Sequence, residues 1–314
     1  MVQIAVVGAT GLVGATILSI LAERGCSRDH IIALASRRSA GLLLPYQGGH
    51  LTVVSADDFD FSQVDIAIFS AGGHVSTWAV PRALKAGCWV VDNTSVFRLA
   101  QEAILSVPKI HKPKQWGERR LFSVPNCSTI QMLAILSPLK QAFGLEEVWV
   151  STYQSYSGAG YDALKALEER GACMVARIGD VQADGYCVEE YKMIQETHRL
   201  LGHKLPIWPT TVRVPTQIGH GLSLSIRLAE DATLDEIKSA LLGLKINRCV
   251  DDDMPLEAAK GLDEVHLGRF RWHPKQRQLM LYSVSDNLRL GAATTAVDLA
   301  LDVIQPHLRR AICV

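Results

Sequence analysis

Four short runs of apolar and β-branched residues punctuate the first third of the chain, at 3–7, 31–35, 64–70 and 88–91. Between them the apolar residues fall at helical spacing. Strand and helix in alternation predict βαβ units, and these require a parallel sheet because parallel neighbours are joined by a crossover segment. From about Glu146 the pattern changes. Longer runs at 147–156, 210–214, 222–228 and 278–284 predict the strands of a largely antiparallel sheet, flanked by helices over about 161–171, 188–201 and 233–243. A last helical pattern covers 292–307. These elements predict an α/β protein with three parts. Residues 1–126 form a parallel-sheet domain and residues 127–290 an α+β domain of mostly antiparallel sheet, while a C-terminal helix over 291–314 returns to pack on the first domain.

Composition narrows the classes without changing this picture. A chain of 314 residues, 48% hydrophobic and 20% charged, has enough apolar surface for two cores. Lys+Arg and Asp+Glu both number 32, so there is no one-signed field to hold nucleic acid or an anionic membrane. The first residues run directly into a strand pattern, without the basic region and cleavage site of a signal peptide, and no stretch is long and apolar enough to span a bilayer; a cytoplasmic location is expected. The seven cysteines (26, 88, 127, 173, 187, 249 and 313) are scattered and form no CxxC pair. That argues against a disulfide framework and against a structural zinc site, and no metal is expected.

The first strand leads into Gly8-Ala9-Thr10-Gly11-Leu12-Val13-Gly14, which opens a helix. Glycines at such a turn let the backbone approach a pyrophosphate, and the helix N-terminus offers N–H groups at the positive end of its dipole. Gly8, Thr10, Gly11, Leu12 and Val13 are therefore candidate cofactor contacts in a Rossmann-type domain, although three glycines in a βα turn also suit a plain tight connection. The end of the second strand reads Ser36-Arg37-Arg38-Ser39, with no acid beside it in the sequence. A carboxylate there would bind a ribose 2′-hydroxyl, whereas arginine accepts a 2′-phosphate, so NADP is expected, with Arg38 and Ser39 as its phosphate contacts. The competing reading is that the two arginines cap a solvated loop.

Candidate chemistry centres on Val124-Pro125-Asn126-Cys127-Ser128-Thr129-Ile130-Gln131, which precedes a helical pattern. Cys127 is read as the cysteine at a helix N-terminus, where the dipole and free N–H groups stabilise a thiolate. A nucleophilic cysteine beside a nicotinamide domain implies attack on an aldehyde or acyl group, hydride transfer and a thioester intermediate. His220 is the candidate acid/base.

Eight segments together resemble the aspartate-semialdehyde dehydrogenases, in family order along nearly the whole chain. They are GATGLVG at 8–14, SRRSAG at 36–41, DNTSVFR at 92–98, PNCSTIQ at 125–131, QSYSGAG at 154–160, EEYKM at 189–193, RVPTQIGH at 213–220 and SDNLRLGAA at 285–293. The resemblance implies that Cys127 is acylated, that Gln154 orients the substrate and that His220 is the general acid/base. It implies that Arg213 pairs with the substrate α-carboxylate, a good match for a bidentate guanidinium. By the same resemblance Glu189 takes the α-amino group, Lys192 and Arg98 meet phosphate with Asn126 close by, and Ser157, Gly158 and Asn287 lie against the cofactor.

The implied reaction is the reversible, NADP-dependent reductive dephosphorylation of 4-phospho-L-aspartate to L-aspartate 4-semialdehyde. This step leads to lysine, methionine and threonine and, in bacteria, to diaminopimelate. A homodimer or homotetramer is expected. The chain departs from the family between SGAG and EEYKM, where residues 161–188 replace a longer insertion associated with the subunit interface. Two other readings stay open at this point: an enzyme like N-acetyl-glutamyl-phosphate reductase, and a non-catalytic paralogue. A glycolytic-type phosphorylating dehydrogenase is weaker, because the Arg37-Arg38 pair prefers NADP.

Overall fold

The computed structural model describes residues 2–113, 115–170, 173–202, 204–250 and 254–312, so Cys313 lies outside the described residues. The chain divides into two compact units, residues 1–125 with 292–314, and residues 126–291.

The first unit is built on β1 (Ile4–Val7), α1 (Leu12–Glu23), β2 (Ile31–Ala35), a hairpin of β3 (Leu43–Tyr46) and β4 (Gly49–Thr52), β5 (Val54–Ser55), β6 (Ile66–Phe69), α2 (Gly73–Lys85), β7 (Trp89–Asp92), β8 (Ala103–Leu105) and β9 (Leu121–Ser123). Seven of these strands form one sheet in the order β5-β2-β1-β6-β7-β9-β8. Every pairing in it is parallel. All four residues of β1, of β6 and of β7 are buried, as expected of strands covered on both faces. The order reverses at β1, whose neighbours are β2 and β6, and such a reversal opens a crevice at the carboxyl ends of the strands. Gly8 sits there with φ +90°, packed so closely that a Cβ would come within 2.7 Å of the Ala71 nitrogen.

The hairpin and the short strands β5, β8 and β9 are absent from the sequence expectation. The hairpin turns on Gln47 and Gly48, both at positive φ (46° and 73°), the conformation of a type I′ turn. The more familiar Asn-Gly signal is lacking here, and runs of two to four residues have no readable period.

The C-terminal helical run closes this unit. It passes through π-helical turns at Arg289–Thr294 and Leu299–Ile304, which flank α7 (Thr295–Asp298), and ends in α8 (Gln305–Ile312). Asp298 is buried, yet it meets the Arg24 guanidinium and lies 3.4 Å from Lys109 Nζ. Lys112 Nζ donates to the Asp302 carbonyl at 3.1 Å, and the His307 ring packs edge-on against Trp89 and Trp116. Burial pushes the Asp298 carboxyl up while the two cations pull it down. Arg24 also reaches Asp302 at 3.7 Å, so removing Asp298 takes this carboxylate from Lys109 and weakens the pairing of Arg24 without abolishing it. Because both cations reach solvent, Asp298→Ala should lower the stability of this unit by only about 1 kcal/mol. Urea unfolding checks this, and an unchanged midpoint would refute it.

The second unit contains α3 (Cys127–Phe143), β10 (Leu145–Gln154), α4 (Tyr161–Arg170), α5 (Val188–Leu201), β11 (Ile207–Arg213), β12 (His220–Leu228), α6 (Leu234–Leu242), β13 (Asn247–Cys249), β14 (Val265–His273) and β15 (Gln278–Ser285). Its sheet has the order β11-β10-β12-β15-β14-β13. The three central pairings are antiparallel, and the outer ones, β10 with β11 and β13 with β14, are parallel. Along β10 burial alternates: Val148, Val150, Thr152 and Gln154 face inward, whereas Trp149 is exposed. β14 was not expected from the sequence. Its period is broken by a bulge between Gly268 and Arg271, with Arg269 at φ 52°.

Candidate active site

Gln154, at the end of β10, is paired in register with Arg213 at the end of β11 and with His220 at the start of β12, and His220 is paired in turn with Ser285 of β15. Antiparallel and parallel neighbours thus bring an arginine, a glutamine and a histidine into one row across the sheet, although they are separated by up to 66 positions in the chain. Strand pairing places them in line, which spacing along a helix would not.

Cys127 opens α3, and Asn126 is the N-cap. The Asn126 side-chain Oδ1 accepts from the backbone N–H groups of Ser128 (2.9 Å) and Thr129 (3.3 Å), and its Nδ2 donates to Glu189 Oε1 at 2.7 Å. A second buried carboxylate, Glu196, accepts from the Asn126 backbone N–H at 2.6 Å. The residue before the nucleophile is thereby fixed by two acids from α5. Lys192, one turn beyond Glu189, donates to Glu189 Oε2 at 3.0 Å. Gly291 abuts the cysteine on another side, where a Cβ would come within 2.8 Å of Cys127 Cβ.

The sulfur of Cys127 lies 3.2 Å from His220 Nε2. His220 is fully buried, and burial together with the nearby Arg213 charge pushes its pKa down to about 4. Arg213 donates to the Ser155 carbonyl at 2.5 Å, and burial lowers its pKa from the usual arginine value. Gly158 lies over this pair. A Cβ there would meet Arg213 Nη1 at 3.1 Å and His220 Cε1 at 3.3 Å, so the glycine leaves the space above the two side chains open. Gln131, one turn into α3, donates to the His220 carbonyl (3.2 Å) and to Ser283 Oγ (2.9 Å), which ties the nucleophile's helix to the strand bearing the histidine.

Cys127, Gln154, Glu189, Lys192, Arg213, His220 and Asn126 all belong to the second unit, as do Ser157, Gly158 and Asn287. Ser157 and Asn287 are buried and bonded to each other, Asn287 Nδ2 donating to Ser157 Oγ at 2.9 Å. Ser155, Glu196, Gln131 and Gly291 are further members that the sequence did not single out. Arg98 belongs to the first unit; it is buried, and it donates to the Asn93 carbonyl at 3.0 Å near Asp92.

In the first unit the glycine loop suits a dinucleotide. The N-cap of α1, Gly11, contributes no side-chain hydrogen bond, and no acid occupies the first turn, so the N–H groups there are left for an anion. Gly14 is equally constrained, since a Cβ would fall within 2.0 Å of the Gly8 carbonyl oxygen. Thr10, Gly11, Leu12 and Val13 are all partly accessible. At the end of β2 the structure corrects one detail: acids do lie beside the arginine pair, brought in after β5. Arg37 is bound to Asp58 at 2.7 Å and Asp57 at 3.4 Å. Arg38 is exposed beside Ser39 and has no such partner among the described residues.

Comparison with known proteins agrees with this arrangement. Residues 3–116 match the family description "Semialdehyde dehydrogenase, NAD binding domain", and residues 136–290 match "Semialdehyde dehydrogenase, dimerisation domain". The chain is 37% identical to the aspartate-semialdehyde dehydrogenase of Bacillus subtilis, covering 95% of this chain and 96% of that one. It is 38% identical to that of Legionella pneumophila, covering 95% and 94%. The first of these alignments extends over 333 positions, more than the 314 residues of this chain, so that relative carries segments missing here. Among solved structures, aspartate semialdehyde dehydrogenase II of Vibrio cholerae, complexed with ASA, superposes with a TM-score of 0.92 at 34% identity, covering 97% of this chain and 98% of that one. A cysteine capped at a helix N-terminus and touching a buried histidine, on a chain matched over nearly its whole length, identifies this protein as a member of the aspartate-semialdehyde dehydrogenase family.

Proposed function

We propose that this chain converts 4-phospho-L-aspartate to L-aspartate 4-semialdehyde, reversibly, through a thioester on Cys127. The contact of Cys127 Sγ with His220 Nε2 at 3.2 Å, in the row that also holds Gln154 and Arg213, carries the proposal. The sulfur attacks the acyl carbon, the bond to the phosphate oxygen breaks, and phosphate departs with the electron pair. A nicotinamide cofactor, when bound, would supply the hydride that reduces the thioester, after which the carbon–sulfur bond breaks, releasing the aldehyde and returning the electron pair to the Cys127 sulfur. His220 is the group positioned to exchange a hydrogen bond or a proton at the sulfur and at the carbonyl oxygen attached to it.

Arg213 presents a half-buried guanidinium suited to the substrate α-carboxylate, and Gln154 lies between it and His220 to orient the acyl group. Glu189 offers a buried carboxylate to the α-ammonium group, with Lys192 and Arg98 for phosphate and Asn126 holding Glu189 in place. That carboxylate favours a free amine over the blocked amine of an N-acetyl-glutamyl phosphate. The experiment is direct: purified protein given aspartate semialdehyde, phosphate and NADP⁺ should form NADPH only when phosphate is present. Turnover of the acetylated substrate instead would move the assignment to the other reductase.

The cofactor is read as NADP, bound by Gly8, Thr10, Gly11, Leu12 and Val13 at the pyrophosphate and by Arg38 and Ser39 at the 2′-phosphate, with Ser157, Gly158 and Asn287 on the nicotinamide side. The commitment of Arg37 to Asp57 and Asp58 supports Arg38 as the phosphate ligand. Arg38→Ala should raise the KM for NADP⁺ by about 10- to 100-fold, the worth of one charge-assisted contact, and leave the KM for NAD⁺ nearly unchanged. Equal effects on both cofactors would remove Arg38 from that role.

A homodimer is also proposed, joined through the open face of the second unit's sheet. Trp149 and Trp208 stack there at 5.4 Å while 51% and 42% exposed, an apolar surface of the kind that subunit interfaces cover. The free thiols, with no disulfide among the described residues, suit a reducing, cytoplasmic compartment.

A further inference from the structure

We propose that Gln131 is a positioning residue for the reaction: from one turn inside α3 it holds the backbone of His220, and so sets the distance between the Cys127 sulfur and the His220 ring. The inference rests on the thioester reading above and adds the group that keeps its nucleophile and its acid/base in register.

α3 carries Cys127 and Gln131 at i and i+4, which places both side chains on one face of the helix, a turn apart. Both reach the same residue. The Cys127 sulfur lies 3.2 Å from His220 Nε2, and Gln131 Nε2 donates to the His220 carbonyl at 3.2 Å. That carbonyl can only accept, so the amide nitrogen must face it, which fixes the orientation of the Gln131 side chain. The same nitrogen donates to Ser283 Oγ at 2.9 Å. His220 lies on β12 and Ser283 on β15, which are neighbours in the sheet, so one amide ties the nucleophile's helix to two adjacent strands.

The other contacts of α3 do not supply this constraint. Its buried apolar side chains, Ile130, Leu133 and Ile135 among them, hold the helix on the sheet through attraction that has no direction. Asn126, the N-cap, is held by Glu189 and Glu196, which belong to α5 and not to the sheet. Asn247 donates to the Ala134 carbonyl of α3 at 2.7 Å, but it sits on β13, at the edge of the sheet, with β15 and β14 between it and β12. Gln131 acts at the strand that bears the histidine. A displacement of about 1 Å at a reacting group costs on the order of 100-fold in rate, so a directional bond at this point matters.

Stability alone does not call for an amide here. Gln131 is 1% exposed, and its Oε1 is buried without a hydrogen-bond partner among the described residues. An apolar side chain of similar shape would avoid the desolvation cost of that oxygen. The donor half of the amide is what the site uses.

The test is a double-mutant cycle on the full-length enzyme, combining His220→Ala with Gln131→Met, which keeps the length of the side chain and removes its donor. Rates are expressed per Cys127 thiol titrated with iodoacetamide and identified in its own peptide by mass spectrometry, so misfolded protein does not count. Gln131→Met should lower kcat by about 10- to 100-fold and leave the KM for aspartate semialdehyde within about threefold of wild type. In the His220→Ala background the same substitution should cost less than about threefold, because the residue it positions is gone. The pH profile of Cys127 alkylation in Gln131→Met should also move from the wild-type position towards that of His220→Ala. The charged groups that act on this pair, Arg213 of β11 and Glu189 of α5, are unchanged in the variant. An equal loss in both backgrounds, an unchanged kcat, or an alkylation profile that stays at the wild-type position would each overturn the proposal. Should Gln131→Met not fold, Ser283→Ala removes one of the two acceptors and leaves the amide in place. A loss of kcat that disappears with His220→Ala then supports the proposal, and a loss that persists there, or no loss, overturns it. Alkylation needs no turnover, so a wild type without phosphate-dependent activity would refute the thioester reading while the profile still reports how the thiol is held against His220.

Discussion

Cys127→Ala is expected to reduce phosphate-dependent NADPH formation by about 10,000-fold or more, the scale seen when a covalent nucleophile is removed from an enzyme whose other groups remain. Two features make the comparison clean. The Cβ of Cys127 is the atom packed against Gly291, and alanine keeps it. The cap on α3 belongs to Asn126, whose side chain and backbone are held by Glu189 and Glu196 and do not involve the sulfur. The variant should therefore fold normally and unfold at nearly the wild-type denaturant concentration. Stopped assays with high enzyme concentration would measure the residual rate. A variant retaining more than about 1% of the wild-type rate would mean that the acyl group is not carried on this sulfur, given the loss expected for a nucleophile.

The nucleophile was legible in the sequence because its signal is local: Asn126 and Cys127 stand immediately before an apolar helical run. The same holds for the glycine loop between β1 and α1. His220 and Arg213 lie seven positions apart on one segment, and the family pattern names both, but the register that sets them on either side of Gln154 is a property of strand pairing. Glu196 illustrates why some of the site was hidden. With Glu189 it forms an i, i+7 pair on α5, which reads as a solvated helix face; both are in fact buried, and their ligand is the backbone and amide of Asn126. Ser155 was hidden for a different reason. Its role comes from its main-chain groups, which every residue possesses, so no side-chain pattern can mark it. In the fold, the long strands were legible from alternation, whereas β14 was lost to its bulge and β3–β5 to their shortness.

His220→Ala is expected to lower kcat by about 100- to 1,000-fold, the cost of removing an acid/base group positioned at the reacting atoms. It should also change how the protein responds to acid. Because the buried ring resists protonation down to a pKa of about 4, while an unfolded histidine takes up its proton near 6.5, the unfolded state binds the extra proton throughout that interval. Stability attributable to His220 is thus fully present above about pH 6.5 and is lost as pH falls towards 4, by about 3 kcal/mol at 1.36 kcal/mol per pH unit. The buried carboxylates Asp92 and Asp298 act with the opposite sign. Burial raises their pKa values, so the folded state binds their protons more tightly and acidification through their range favours folding. Alanine at 220 also leaves a cavity that lowers stability at every pH, so absolute values would mislead. The slope is diagnostic: between pH 6.5 and 4 the unfolding free energy of the variant should fall less steeply than that of the wild type. Parallel curves would show that the buried ring takes up its proton as readily as in the unfolded chain, and that burial beside Arg213 does not hold it neutral.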